Sequence, residues 1–336
     1  MAKKRSKNTP SQKAKKTAAA PSRIVIGRIA SGLIAASILF TLILYYISLN
    51  PKFNSEHAFT YLEKQCEFGP RVPGTEAHAK CGDYLVTELQ KFADQVSQQQ
   101  FQYIDKHDSA KVYTGRNIIA SFNLKPEKNY RVMLCAHWDS RPFADQEADS
   151  ARHSQPVPGA NDGASGVAVL LEMANILHHN PLDFGIDIVF FDLEDIGDNG
   201  AALDSDSLNP FCIGSQYFVD NRPNYRPRYG ILLDMVGGEG MTLKREGYSW
   251  MRAPQIVTKV WDAAKEIDAS VFSDELRDPV LDDHVPFLEK GVKVIDLIDF
   301  DYPYWHTVED TPDKCSPQSL QQVGDVLVEV LYNEGK

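Results

Sequence analysis

Five short apolar runs mark the chain beyond residue 110: NIIASF (117–122), RVMLCAH (131–137), IDIVFFDL (186–193), YGILLDM (229–235) and VKVIDLID (292–299). They are continuous rather than alternating, the pattern of strands buried on both faces. Around them, apolar residues recur at helical spacing over 55–65, 75–94, 165–180, 253–267 and 316–332. The last of these opens on Ser316-Pro317, a helix-start signal. Helix and strand patterns alternating in this way predict one α/β domain over 51–336. Its architecture is three layers, α/β/α, around a mixed, mostly parallel central sheet. There is no internal repeat. The segment 196–215 is long, polar and glycine-rich, the composition of a functional or mobile loop.

The first fifty residues follow another pattern. They hold nine cations and no acid, and Ile29–Ile47 is a stretch of nineteen residues without charge. About 20 apolar residues span a bilayer as a helix, and Tyr45 and Tyr46 stand at its outer end as interfacial aromatics do. A cleaved signal peptide is the competing reading, but its apolar core would be about 7–15 residues long and followed by a small-residue cleavage site. The expectation is an uncleaved anchor at 29–48. A basic, low-complexity tail (1–28) would lie in the cytoplasm, with the domain on the far side, as in a bacterial inner-membrane protein facing the periplasm.

Charge sharpens the division. The formal net charge is −11, but all 46 acids lie beyond residue 50. Against them stand 26 of the 35 Lys and Arg, so the outer part is near −20. Nucleic acid is thereby excluded as a partner, because phosphate binding needs a basic footprint. Five cysteines are an odd number and no disulfide framework. Cys66 and Cys81 flank one loop and would be able to bridge in an oxidising compartment. Cys135 reads as a small core residue.

In open α/β sheets, ligands bind beyond the carboxyl ends of the strands. Those ends here carry His137-Trp138-Asp139, Glu194-Asp195, Asp234 and, through a loop, Trp305-His306; Asp162 stands just ahead of the helix at 165. Each has an ordinary reading. Asp162 would serve as a turn or cap residue, Asp139 as a structural partner that holds the His137 ring, Asp192 as a side chain on the opposite face, and Asp198 as a solvated loop residue. Together they are harder to dismiss. FFDLEDIGD (190–198) alone puts Asp192, Glu194, Asp195 and Asp198 within seven residues after a buried strand. Such a gathering repels itself without a cation. Carboxylate and imidazole donors with no thiolate suit catalytic Zn²⁺.

AHWDS, PGANDGASGVAVLLEMA, FFDLED, LLDMVG, DDHVPFLEKGV and WHTVEDT, in this order, resemble the zinc aminopeptidase-like (M28-type) family, from about residue 55 to the C-terminus. That family includes dinuclear aminopeptidases and glutaminyl cyclases. The resemblance implies Asp162, Asp195 and His306 as ligands of one zinc. In a dinuclear peptidase His137 and Asp234 would hold a second, with Asp162 bridging. It implies Glu194 as the catalytic acid and base, Asp234 and Asp282 as an acidic cluster orienting the substrate amide, and Trp305 as a wall of the substrate pocket. Trp305 and the doubled acid Asp282-Asp283 favour the cyclase branch, which converts N-terminal Gln of peptides to pyroglutamate with release of ammonia. The alternative is a dinuclear aminopeptidase acting on peptide N-termini with the same Glu194. A catalytically dead, membrane-tethered binding module is the third reading, and no ligand position has lost its ligand type. The sequence departs from the pattern in three places. Asp195 stands where many relatives have Glu, Asp296 stands where animal cyclases carry His, and 196–215 offers no counterpart to a second pocket Trp.

Overall fold

The computed structural model describes residues 34, 36–41, 50–105, 110–197 and 211–334. Among them no helix is long and apolar enough to cross a membrane. The anchor expected at 29–48 falls mostly on residues outside that set, as does Asp198.

From residue 51 onward the chain forms one unit built on a six-stranded sheet. Its strands are β1 (Gln95–Ile104), β2 (Val112–Phe122), β3 (Arg131–His137), β4 (Gly185–Phe191), β5 (Gly230–Asp234) and β8 (Val294–Ile298), in spatial order β1-β2-β4-β3-β5-β8. β4, β3, β5 and β8 run parallel, while β1 and β2 close one edge antiparallel. The mixed, mostly parallel sheet expected from the apolar runs is therefore present. The short strands β6 (Leu243–Arg245) and β7 (Phe272–Leu276) pair separately.

The parallel strands are mainly apolar because both faces are covered. In β3, Val132, Leu134 and Ala136 face one core, while Met133 and Cys135 face another. The larger core is closed by α1 (Ser55–Glu67), α2 (Glu76–Gln90), α3 (Ala164–His179), α6 (Pro254–Glu266) and α8 (Pro317–Tyr332). The smaller is closed by α4 (Ile213–Asn221) and α7 (Val285–Glu289), through Phe218, Val219 and Phe287. One further short helix, α5 (Gly247–Arg252), follows β6. Caps fix the helix starts: Asn54, Thr75 and Ser316 accept hydrogen bonds from the first-turn N–H groups of α1, α2 and α8.

The structure corrects the sequence reading in several places. The helix expected over 75–94 stops at Gln90, and α4 begins inside the segment read as loop. β1, QVSQQQFQYI, was not foreseen: it is an edge strand with mostly exposed side chains, held by backbone pairing to β2 over its whole length. Cys66 and Cys81 are free thiols, as are the other three cysteines.

Asp187, one of the buried acids inside the sheet, is fully partnered. Asp187 in β4 accepts two hydrogen bonds from Arg131 (2.7 and 2.8 Å) and one each from the Ser121 and Tyr225 hydroxyls. Removing one member of such a pair leaves the other uncompensated, at a cost of roughly 3–5 kcal/mol when fully buried. Asp187→Ala is expected to destabilise the domain by about 3 kcal/mol, because Arg131 keeps some contact with water. Denaturant titration checks this; a change under about 1 kcal/mol would show the pair to be replaceable.

Candidate active site

At the carboxyl edge of the sheet, one cavity of about 390 Å³ is lined by Asp162, Glu194, Asp195, Asp234, Asp282, Trp305 and His306, among others. His137 lies beneath it, at 1% exposure. All eight residues named from the sequence thus meet in one place.

Two overlapping ligand sets result. His306 Nε2 is 3.3 Å from Asp195 Oδ1 and 3.8 Å from Asp162 Oδ2. His137 Nε2 is 3.1 Å from Asp162 Oδ1 and 3.2 Å from Asp234 Oδ1. Asp162 belongs to both sets.

Local sequence explains how the chain achieves this. Asp162 precedes Gly163 in a cis peptide. A Cβ on Gly163 would lie 2.6 Å from the His137 ring, so only glycine lets this loop pass over the histidine. The backbone N–H groups of Asn161 and Asp162 donate to the two oxygens of Asp310 (2.8 and 3.2 Å), which also accepts from the Tyr302 hydroxyl at 2.8 Å. After β4 the chain turns at Leu193 with φ of +58°. The oxygens of Asp139 accept the N–H groups of Glu194 and Asp195 (3.1 and 3.2 Å). Asp139 stands 3.6 Å from His137 Nδ1, the ring it was expected to hold, and its oxygens shape the 194–195 turn as well. Asp192 points away, as expected, accepting from His78 Nε2 (2.8 Å) and Arg116 N (2.7 Å).

Two supporting residues went unseen in the sequence. Arg141 is fully buried and donates to both Asp145 oxygens (2.8 and 2.9 Å) and to Asp195 Oδ1 (2.9 Å). Asp145 in turn meets His306 Nδ1 at 3.1 Å. A proton on Nδ1 leaves the Nε2 lone pair facing Asp162 and Asp195, the arrangement of a metal-binding imidazole. The Arg141–Asp145 pair thereby holds two members of one ligand set. Nothing in the local pattern RPFAD signals this, because the contacts form only on folding.

Acid predominates in the cavity. Burial, then the neighbouring Asp195, pushes Glu194 well above the usual carboxylate range. Burial and Asp234 do the same for Asp282, and burial and Asp282 for Asp296. Burial also pushes Asp195 up, but His306 and Arg141 outweigh it and hold its carboxyl low, as an anion. Asp195 Oδ2 is buried with no hydrogen-bond partner. A carboxylate with one such oxygen, an oriented imidazole and Asp162 make a donor set that fits Zn²⁺. Glu194 carries a further contact: the Cys212 thiol donates to its Oε1 at 3.3 Å. Trp305 stacks on His306 with ring centroids 3.9 Å apart and also leans on Phe300.

Residues 117–331 match the model of peptidase family M28. Among solved structures, the chain is 41% identical to a Bacteroides thetaiotaomicron glutaminyl cyclase bound to N-acetylhistamine, with a TM-score of 0.80 over 84% of this chain and 99% of that one. It is 42% identical to a leucine aminopeptidase precursor from the same organism, with a TM-score of 0.79 over 84% of this chain and 98% of that one. Aminopeptidase YwaD of Bacillus subtilis is 29% identical over 246 residues, a match that spans 66% of this chain but 45% of that relative.

Loss of an outer partner of a metal-bound histidine typically costs 10–100-fold in metal affinity. Asp145→Ala is expected to weaken Zn²⁺ binding by about that factor, read by competition with a chromogenic chelator. Unchanged affinity would mean that Asp145 does not orient His306.

Proposed function

The chain belongs to peptidase family M28, and within that family we propose that it is a glutaminyl-peptide cyclotransferase, converting N-terminal Gln of peptides to pyroglutamate with release of ammonia. The observation that carries this reading is the convergence of Glu194, Asp234, Asp282 and Trp305 on the same cavity as Asp162, Asp195 and His306. The similar structure named a glutaminyl cyclase supports it.

In this reading Asp162, Asp195 and His306 hold one Zn²⁺. When bound, the ion supplies a Lewis acid for the γ-carbonyl oxygen of the substrate. The protein's own groups do the rest. The substrate α-amine attacks the γ-carbonyl carbon, and Glu194 accepts the proton that the amine loses. Glu194 then delivers this proton to the γ-nitrogen as the carbon–nitrogen bond breaks, so ammonia leaves and the lactam remains. The high proton affinity that burial and Asp195 give Glu194 suits a group that must both take and return a proton near neutral pH. Asp234 and Asp282 offer acceptors for the γ-amide N–H groups and so fix its orientation. Trp305, stacked on His306, gives the aliphatic part of the Gln side chain an apolar wall. In this reading the first fifty residues would tether the domain at 29–48, on the outer side of a membrane.

A dinuclear aminopeptidase is the second reading. It is favoured by the His137–Asp162–Asp234 set and by the similar structure named a leucine aminopeptidase precursor. The same Glu194 would there activate a water for peptide hydrolysis.

Incubation with Gln-Ala-Phe and Leu-Ala-Phe separates the two. Ammonia loss from the first, an untouched second and one zinc per chain are expected; release of free Leu with two zincs would establish the peptidase. Glu194→Gln is expected to lower kcat at least about 10²-fold, with zinc content unchanged. Activity near wild type in that variant would remove Glu194 from the mechanism.

A further inference from the structure

One wall of the cavity is the peptide 277–282, which ends in Asp282. It belongs to no helix or strand. Its position depends on a residue that does not line the cavity, Glu246.

Glu246 is fully buried at the start of α5. Its Oε1 accepts from Tyr248 N (2.8 Å) and from Val280 N (2.9 Å), the latter in the middle of the wall. Its Oε2 accepts from Ser249 N (2.7 Å) and meets His284 Nε2 at 3.1 Å, two residues beyond Asp282. One carboxylate therefore grips the helix cap, the wall and the turn that carries Asp282. The next residue provides a second, independent sign. A Cβ on Gly247 would lie 2.6 Å from Pro279 N, so the wall rests directly on the α5 backbone. Burial pushes the Glu246 carboxyl up, but His284 and the N–H groups of Ser249 and Val280 outweigh it and hold it down at about 2, leaving it a charged acceptor. Charge-assisted hydrogen bonds of this kind are the strong ones.

We propose that Glu246 is a positioning residue: through Val280 and His284 it sets the place of Asp282 and hence the orientation of the substrate γ-amide. The inference rests on the cyclase reading for its kinetic consequence, but the clamp itself is testable without it.

Glu246→Asp is the informative variant. Asp is among the best helix caps, so it keeps the bonds to Tyr248 and Ser249 while falling one carbon short of Val280 and His284. Backbone amides in 277–284 are expected to exchange with deuterium about tenfold faster than in wild type, the scale of one lost charged hydrogen bond. The kcat for Gln-Ala-Phe is expected to fall by about 10- to 100-fold, since small misplacement of an orienting group is costly. Zinc content and inhibition by imidazole, which needs only the metal, stay at wild-type values. Wild-type exchange in 277–284, or wild-type kcat, would overturn the proposal. So would a parallel loss of zinc and imidazole binding, which marks general unfolding rather than positioning. Should Glu246→Asp not fold, Gly247→Ala, which lifts the wall by crowding Pro279, is expected to give the same pattern. A wild-type enzyme that leaves Gln-Ala-Phe untouched would sink the cyclase reading, and the exchange comparison would still decide the clamp.

Discussion

Buried negative charge is the constraint on which this structure turns. Asp162, Glu194, Asp195, Asp234 and Asp282 share one cavity, and each is at least partly withdrawn from water. A carboxylate in that setting needs a proton, a cation or several donors. The fold supplies each where it can. Arg141 answers Asp195, backbone N–H groups answer Asp139 and Asp310, and His137 answers Asp162 and Asp234. Asp195 Oδ2 and Asp282 Oδ2 stay without a hydrogen-bond partner, and the other oxygen of Asp195 lies 3.3 Å from His306 Nε2. The surplus charge that makes the edge of the sheet unstable alone also suits it to hold a cation.

The sheet and its main helices were legible because they are built from apolar residues at regular spacing. Strands buried on both faces leave continuous runs, and β3 matches its expected span residue for residue. β1 left no such trace. Its glutamines face outward and it is held by backbone hydrogen bonds that any side chain permits. The short helices α5 and α7 are set by their surroundings rather than by propensity, as helices of one or two turns must be.

The site divides in the same way. His137, Glu194, Asp195 and Asp234 lie at or just beyond strand ends, Asp162 just ahead of a helix and His306 in the loop after the last strand, so the order of elements pointed to them. Asp282 does not follow a strand, and only the family resemblance singled it out. Arg141, Asp145 and Glu246 escaped altogether. A buried Arg bridging two acids and a Glu gripping a remote peptide look, in sequence, like any charged residue on a surface. Their meaning is a matter of contact across gaps of 38 residues for Glu246 to His284 and 161 for Asp145 to His306.

The two supports are separate. Arg141 and Asp145 brace Asp195 and His306, while Glu246 holds the 277–282 wall and the turn after it. A molecule built this way has room to evolve. Leu281 lines the cavity next to Val280, whose backbone N–H holds the peptide to Glu246, so its side chain is separate from that bond, unlike Arg277, which pairs with Asp301 at 2.9 Å. A change at Leu281 then reshapes the wall while the contacts of Asp162, Asp195 and His306 with one another stay as they are.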